Sequence, residues 1–409
     1  MTGSTLRLAW RNLWRNRRRT TLAVTAIGLS VVLVLAYDSV LRAYGDWMTE
    51  TVTGPMLGHV QVHAPEWRKD RSMDRTLRDV TATLSALRRD PEVTDATARV
   101  YAPALAAVGE EGFAVVVVGV DPAAETHPMG LLAGAPALPA GRSVLVGRLL
   151  AEQMGLRVGD SLAVVGQGAD GSLANDLYRV AGLVDTSVDF VNRQGVLMAL
   201  GEAQTLFAMG DEAHELVVRG RDPARAGELA SHLSALPALR GLEVLDWRTL
   251  SPEMVGLIEL VGVAWLFVLV LVLVAAAAGV ANTMLMSTHE RTHELGMLLA
   301  LGARPGRIVR MVVVEALMLG LVGALAGTGV GVALVAATHR TGVDYAALTG
   351  GGPQELSFGG LRWSLRLYPT LAVEDVLRVV AAVGLTSLVA AAWPAARVAR
   401  LQPSKALRG

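Results

Sequence analysis

The sequence contains no cysteine in its 409 residues. That excludes disulfides, thiolate metal sites, iron–sulfur clusters and a lipoprotein-type N-terminal anchor. Lysine is almost absent too, with only Lys69 and Lys405. The phosphate loop of a nucleotide hydrolase needs Gly-Lys followed by Ser or Thr. Lys69 precedes Asp70 and Lys405 precedes Ala406, so neither completes that motif. Any ATP hydrolysis is therefore expected from a separate chain, and this chain is not expected to be an enzyme. Aromatic residues (5%) and charged residues (18%) are few beside 52% hydrophobic ones, which argues against an ordinary soluble globule.

What is present is four long apolar runs. A bilayer crossing needs about 20 apolar residues. The first run covers 20–43 and the second, with a stalk, 254–286; the third covers 308–338 and the fourth 374–396. Arginine placement orients them. Arg7, Arg11, Arg15, Arg17, Arg18 and Arg19 precede the first run; Arg291, Arg304, Arg307 and Arg310 lie between the second and third; Arg397, Arg400, Lys405 and Arg408 follow the fourth. With four spans all three clusters share one side, the cytoplasmic one by the positive-inside rule. Both termini are then cytoplasmic. The long insert, Arg42 to Glu253, carries 28 acidic against 19 basic residues and faces outward, into the periplasm of a two-membrane bacterium. Residues 1–19 read as an amphipathic interfacial helix, with Leu6, Trp10, Leu13 and Trp14 on one face and arginines on the other. In the third run Gly320, Gly323, Gly327 and Gly331 form a row of small residues, the pattern that lets another membrane helix approach closely.

The insert, 44–253, alternates strand-like segments such as "FAVVVVGV" and "YRVAGLV" with amphipathic helical ones such as "TLRDVTATLSALRRD". The expected fold is a four-helix transmembrane domain with a large α+β domain inserted between spans one and two, a second subdomain entering at about 141–200. A shorter loop, 339–373, separates the last two spans, and 397–409 is a cytoplasmic tail. No nucleophile elbow occurs in the insert. His59 and His63 fall on one face of a strand and read as a polar surface pair, and the carboxylates are scattered. The cytoplasmic loop 287–307 contains His289-Glu290-x-x-His293, the zinc-protease pattern, yet no third ligand is evident in the adjoining spans except Glu315, which lies nearer the other helix.

The segment "ERTHELGMLLALGARPGRIVRMVVVE" carries a stronger signal. It resembles the cytoplasmic loop of ABC-transporter permeases of the MacB and FtsX superfamily, through Glu290, Arg291, Thr292, Glu294, Leu295, Gly296, Ala300, Leu301, Gly302, Ala303 and Glu315. Leu295 replaces the usual isoleucine, and His293 stands where arginine is frequent. "AAWPAARVARLQPSKALRG" resembles the family's ending, and "VLVGRLLAEQMGLRVGDSLAVV" with "LDWRTL" the periplasmic core of lipoprotein-releasing (LolC/LolE-type) permeases and MacB.

This resemblance implies a permease working by mechanotransmission. A coupling helix, with Glu290, Arg291 and Glu294 setting register and Leu295, Gly296, Leu298, Leu299, Leu301 and Gly302 forming its body, would engage a separate ABC ATPase that carries ATP and Mg. Leu295, Leu298, Leu299 and Leu301 would fill a groove on that ATPase. The other implied partners are a second permease copy or paralogue, membrane lipids, and a periplasmic lipoprotein or outer-membrane protein; no nucleic acid, metal or catalytic residue is implied. Release of lipoproteins from the inner membrane is the expected task. An unfused MacB-like exporter of peptides, lipids or drugs, an FtsX-like regulator of a periplasmic hydrolase, and a membrane zinc protease are the alternatives.

Overall fold

A computed structural model describes residues 2–128, 130–344, 356–358, 361–363 and 366–399. The chain divides into two compact units. One comprises Met1–Gly45, Ile258–Tyr345 and Arg366–Gly409; the other comprises Asp46–Leu257 and Ala346–Leu365.

The first unit is helical. Its helices are α1 (Thr2–Leu13), α2 (Arg17–Val52, with Asp46 onward in the second unit), α3 (Pro252–Glu290, with the part before Ile258 in the second unit), α4 (Thr292–Ala300), α5 (Pro305–Thr341) and α6 (Val373–Ala399). Among the described residues, four helices are long and apolar enough to cross a membrane. Each outruns the apolar stretch that marks it in the sequence. Hydrophobicity stops where lipid would stop, whereas the backbone ladder continues until a glycine, a proline or a cap ends it. Ile27, Val31 and Leu35 of α2 form a core with Val280 and Met284 of α3, Leu319 and Ala324 of α5, and Val379 and Val383 of α6. The glycine row of α5 lies at this packing surface. A Cβ on Gly323 would meet Ile27 Cβ at 2.7 Å, one on Gly327 would overlap the Gly28 carbonyl, and one on Gly331 would reach Leu35 Cδ1 at 3.0 Å. Gly320 instead faces Ser387 of α6. One stretch of α3 is different: Leu260, Val263, Phe267, Val270 and Val274 are exposed within this chain, an apolar surface of the kind that lipid or another protein covers.

The second unit is built on a nine-stranded sheet: β1 (Val60–His63), β2 (Val93–Val108), β3 (Glu111–Val120), β4 (Ser143–Gly147), β5 (Ser161–Gln167), β6 (Leu173–Val184), β7 (Gly195–Ala199), β8 (Glu215–Gly220) and β9 (Glu243–Asp246). The strand order is β3-β7-β4-β6-β5-β2-β8-β1-β9, and β3 also pairs with β2. β2 makes this possible by its length. Residues 104–107 pair with β5 while 99–108 pair with β3, so β2, β5, β6, β4, β7 and β3 close a six-stranded ring. The first half of β2, 93–99, pairs instead with β8, which leads on to β1 and β9. Closure removes exposed strand edges from the ring. The core runs from Val60 and Val62 through Ala98, Val117, Val146 and Val164 to Val196 and Phe207.

His59 and His63 are not the surface pair the sequence suggests. Both are buried: His63 of β1 stacks on Trp67 with ring centroids 5.2 Å apart, and His59 is covered just before the strand begins. His59 Nδ1 accepts from Gly220 N at 3.0 Å, and His214 Nδ1 accepts from Tyr101 N at 3.1 Å. An accepting nitrogen must be unprotonated. Burial, then the nearby Arg219 charge, pushes His59 down to about 4 from its ordinary 6.5, and burial likewise lowers His214. As pH falls below 6.5 the unfolded chain takes up protons that the folded domain refuses until about 4. Stability of this unit should therefore drop across that window, by about 2–3 kcal/mol for His59 alone. Urea unfolding of the full chain, followed by tryptophan fluorescence at pH 7 and pH 4.5, measures this. His59→Gln, which keeps an acceptor, should flatten the profile; equal pH sensitivity in that variant would contradict the assignment.

Candidate coupling site

The segment joining α3 to α5 is shaped by a few local choices. α3 ends at Glu290. Arg291 leaves the helical region (φ −102°, ψ 11°), and α4 begins at Thr292, whose hydroxyl bonds back to the carbonyls of Thr288 (3.1 Å) and His289 (2.8 Å). α4 stops at Gly302, which takes φ +89°, a conformation glycine supplies without strain, and donates to Leu299 O at 3.1 Å. Pro305 then opens α5 at its first position, where a missing N–H costs nothing.

The charges of this loop are held by the N-terminal helices. Arg15 Nη1 donates to Glu294 Oε1 at 3.0 Å and Oε2 at 3.2 Å, and Arg19 embraces Glu290 with bonds of 2.8 and 2.5 Å. The Arg15 hydrogen bond holds the Glu294 carboxylate below its ordinary range. Arg291 turns inward: its Nε donates to Glu294 at 3.1 Å and its Nη1 to the buried Glu315 of α5 at 3.2 Å. The amide oxygen of Asn12, assigned to the side facing Arg291, lies 3.0 and 3.2 Å from its two terminal nitrogens. The chain thus pairs its own loop acids with Arg15 and Arg19. A matched spacing signals the arrangement: Glu290 and Glu294 are four apart, and so are Arg15 and Arg19.

The apolar residues of the loop divide into two sets. Leu295 is 1% exposed and packs with Ile308, Val312, Ala395 and Val398, and Gly296 is buried beside it. Leu299 is partly buried against the same cluster. Met297, Leu298 and Leu301 point away, at 46%, 42% and 79% exposure. Only this second set can meet a partner. Leu295 and Gly296 seat the helix on its own bundle.

His289 and His293 lie on either side of the break at Arg291, so they do not share one uninterrupted helix. Glu290, the would-be base, is bound by Arg19. Among the described residues no group of three His, Asp or Glu side chains is placed to hold a metal ion.

Residues 266–403 match the FtsX-like permease C-terminal family, a stretch that takes in most of α3 and all of α4, α5 and α6. The chain is 25% identical over 277 residues to the lipoprotein-releasing system transmembrane protein LolC of Neisseria meningitidis serogroup B, covering 66% of this chain and 66% of that one. It is 26% identical over 279 residues to LolE of Haemophilus influenzae, covering 64% of each chain. It is 32% identical over 216 residues to the pyoverdine export ATP-binding/permease protein PvdT of Pseudomonas fluorescens, covering 53% of this chain and 27% of that one. The matches thus span less than two thirds of the length of these relatives. Among solved structures, the periplasmic region of MacB from Actinobacillus actinomycetemcomitans aligns with 51% of this chain and 97% of its own at 12% identity and a TM-score of 0.36. Residues 266–403 thus carry an FtsX-like permease domain, and LolC, LolE and PvdT are among the proteins to which the chain is similar.

Proposed function

We propose that this permease is the membrane subunit of an ATP-driven ABC transporter whose separate ATPase docks on Met297, Leu298 and Leu301. The carrying observation is that α4 and the residue after it expose these three apolar side chains while Glu290, Arg291 and Glu294 are paired with Arg19, Glu315 and Arg15 of the same chain. A loop anchored in this way transmits displacement instead of absorbing it. The arginine clusters favour placing α4 on the cytoplasmic side and the sheet unit beyond the membrane. ATP and Mg belong to the partner, and the permeases work as a pair. Motion passes outward through α2 and α3 to a substrate already outside the cytoplasm.

Lipoprotein release is the favoured task, supported by the LolC and LolE matches, which run along about two thirds of this chain. Export is the second reading, supported by PvdT. Acyl burial of about 0.8 kcal/mol per methylene makes unaided lipoprotein extraction very slow, which is why such a task needs ATP.

Burying a leucine side chain is worth about 2 kcal/mol. Leu301→Asp should therefore weaken capture of the co-expressed ABC ATPase at least 30-fold in a pull-down titration, with the permease still folded. Undiminished capture would refute the docking face. Depleting the permease should then strand lipoproteins in the inner membrane; a normal lipoprotein distribution would leave export as the surviving reading.

A further inference from the structure

The far end of α2 is held in an unusual way. After Val52 the helix loosens into a wider turn, Thr53–Leu57, and the chain passes through Gly58 and His59 into β1. The last carbonyls of a helix have no partner in the helix and carry its negative pole. Here two arginines from the sheet take them. Arg219 of β8 donates from Nη2 to Gly54 O at 2.7 Å; Arg99 of β2 donates from Nη2 to Pro55 O and from Nη1 to Met56 O, both at 2.9 Å. Gln61 of β1 adds a bond to Met56 O at 3.3 Å.

Each guanidinium also holds a carboxylate. Arg99, with no exposed surface, grips Glu125 through Nε at 2.7 Å and Nη2 at 2.9 Å, and Glu125 is itself held by Leu131 N at 2.8 Å. Arg219 Nη1 donates to Asp95 at 3.0 Å. Burial alone would lower the Arg99 pKa; Glu125 overrides it and keeps the group above its ordinary value, always charged. A planar fork fixed on both edges holds direction as well as distance. One such fork alone would permit a swivel; Arg219, on the neighbouring strand, opposes it with one terminal nitrogen on the Gly54 carbonyl and the other on Asp95.

We propose that Arg99 and Arg219 are positioning residues that weld the end of α2 to strands β2 and β8, making helix end and sheet one rigid lever. The purpose of that lever rests on the transporter reading, but its rigidity does not. β1, which continues from α2, pairs directly with β9, which leads through the turn Trp247–Leu250 to α3. Both chain crossings therefore meet the sheet on adjacent strands, and a movement of α2 enters at that edge.

The absence of native cysteine makes the test direct. Glu50, exposed near the end of α2, and Ser231, exposed on the helix Ala226–Ser234, are replaced by cysteine in the full-length chain and spin-labelled. Pulsed electron resonance on this protein, without ATPase or nucleotide, should give one narrow distance distribution. Arg219→Met should at least double its width while amide exchange in β2, β5 and β6 stays unchanged; Arg99→Lys, which keeps the charge but cannot span carboxylate and carbonyls, should do the same. If Arg99→Lys unfolds the domain, Arg219→Met decides, because its partner Asp95 is partly exposed. An already broad parent distribution, or unchanged width in Arg219→Met, overturns the proposal. In the ATPase complex, Arg219→Met should keep ATP turnover within twofold and cut substrate release at least tenfold; full release from a broadened joint overturns the role assigned to it. Failure of the ATPase to bind would strike the docking reading alone, since the label measurement uses no partner.

Discussion

Gly327→Leu is expected to separate α2 from α5 and lower the stability of the membrane unit by about 3 kcal/mol or more. The cause is specific. A Cβ at this position would overlap the Gly28 carbonyl and come within 2.8 Å of both Gly28 Cα and Val31 Cβ. Two of those three obstacles are backbone, and backbone in a helix cannot swing aside as a side chain can. The cheapest relief is to move the helices apart, which also loosens Gly323 from Ile27 and Gly331 from Leu35. In lipid no hydrophobic penalty pushes them back together, because association there depends on close van der Waals contact. Gly329→Leu is the matched control: it lies on the same helix, and a Cβ there meets nothing within 4 Å. Thermal unfolding in nanodiscs should show a large fall in Tm for Gly327→Leu and almost none for Gly329→Leu. Equal behaviour of the two would mean that helix propensity, not packing, sets the effect.

The glycine row illustrates what the sequence discloses. Spacing of three or four identifies a helix face, so Gly320, Gly323, Gly327 and Gly331 were recognisable as a packing stripe. Spacing carries nothing about the partner, and Gly320 turns out to face α6 while the other three face α2. Likewise the apolar runs, the turn at Gly302 and Pro305 and the α+β character of the insert rest on local chemistry and are readable. Burial of His59 and His63 is not. Whether a strand has one covered face or two depends on what packs over it, and for β1 that includes the helix Ala226–Ser234, more than 150 residues downstream in the chain. Arg15 and Arg19 read as orientation signals because their partners are 279 and 271 residues away. The arginine joint at the end of α2 was hidden for the same reason: Arg99, Glu125 and Arg219 are unremarkable in isolation, and only the pairing of β2 with β8 brings them to one place.

The ion pairs of the coupling loop should differ sharply in worth, and Arg291 carries most of it. Arg15–Glu294 and Arg19–Glu290 are solvent-accessible, so Arg15→Gln should cost at most about 1 kcal/mol. Arg291 is different because its partner Glu315 is 4% exposed inside the bundle. Arg291→Leu removes the ion-pair partner of that carboxylate and leaves it the more distant Arg15 charge and Asn12, and breaking a buried pair from one side costs about 3–5 kcal/mol. Glu315→Leu should cost less, since Arg291 keeps Glu294 at 3.1 Å and the Asn12 amide. The double variant Arg291→Leu/Glu315→Leu removes both charges at once and should recover most of the loss, leaving a coupling energy of about 2 kcal/mol in the cycle. Thermal unfolding of the four proteins in one nanodisc preparation measures it. Stability is only half of the consequence. Arg291 stands at the break between α3 and α4 and ties both to α5, so the double variant should regain its Tm without regaining its grip on the loop. ATP turnover in the complex should then persist while output stays low. A double variant that restores output along with Tm would show that Leu295 packing against Ile308 and Val398 is enough to hold α4, and that the buried pair serves folding alone.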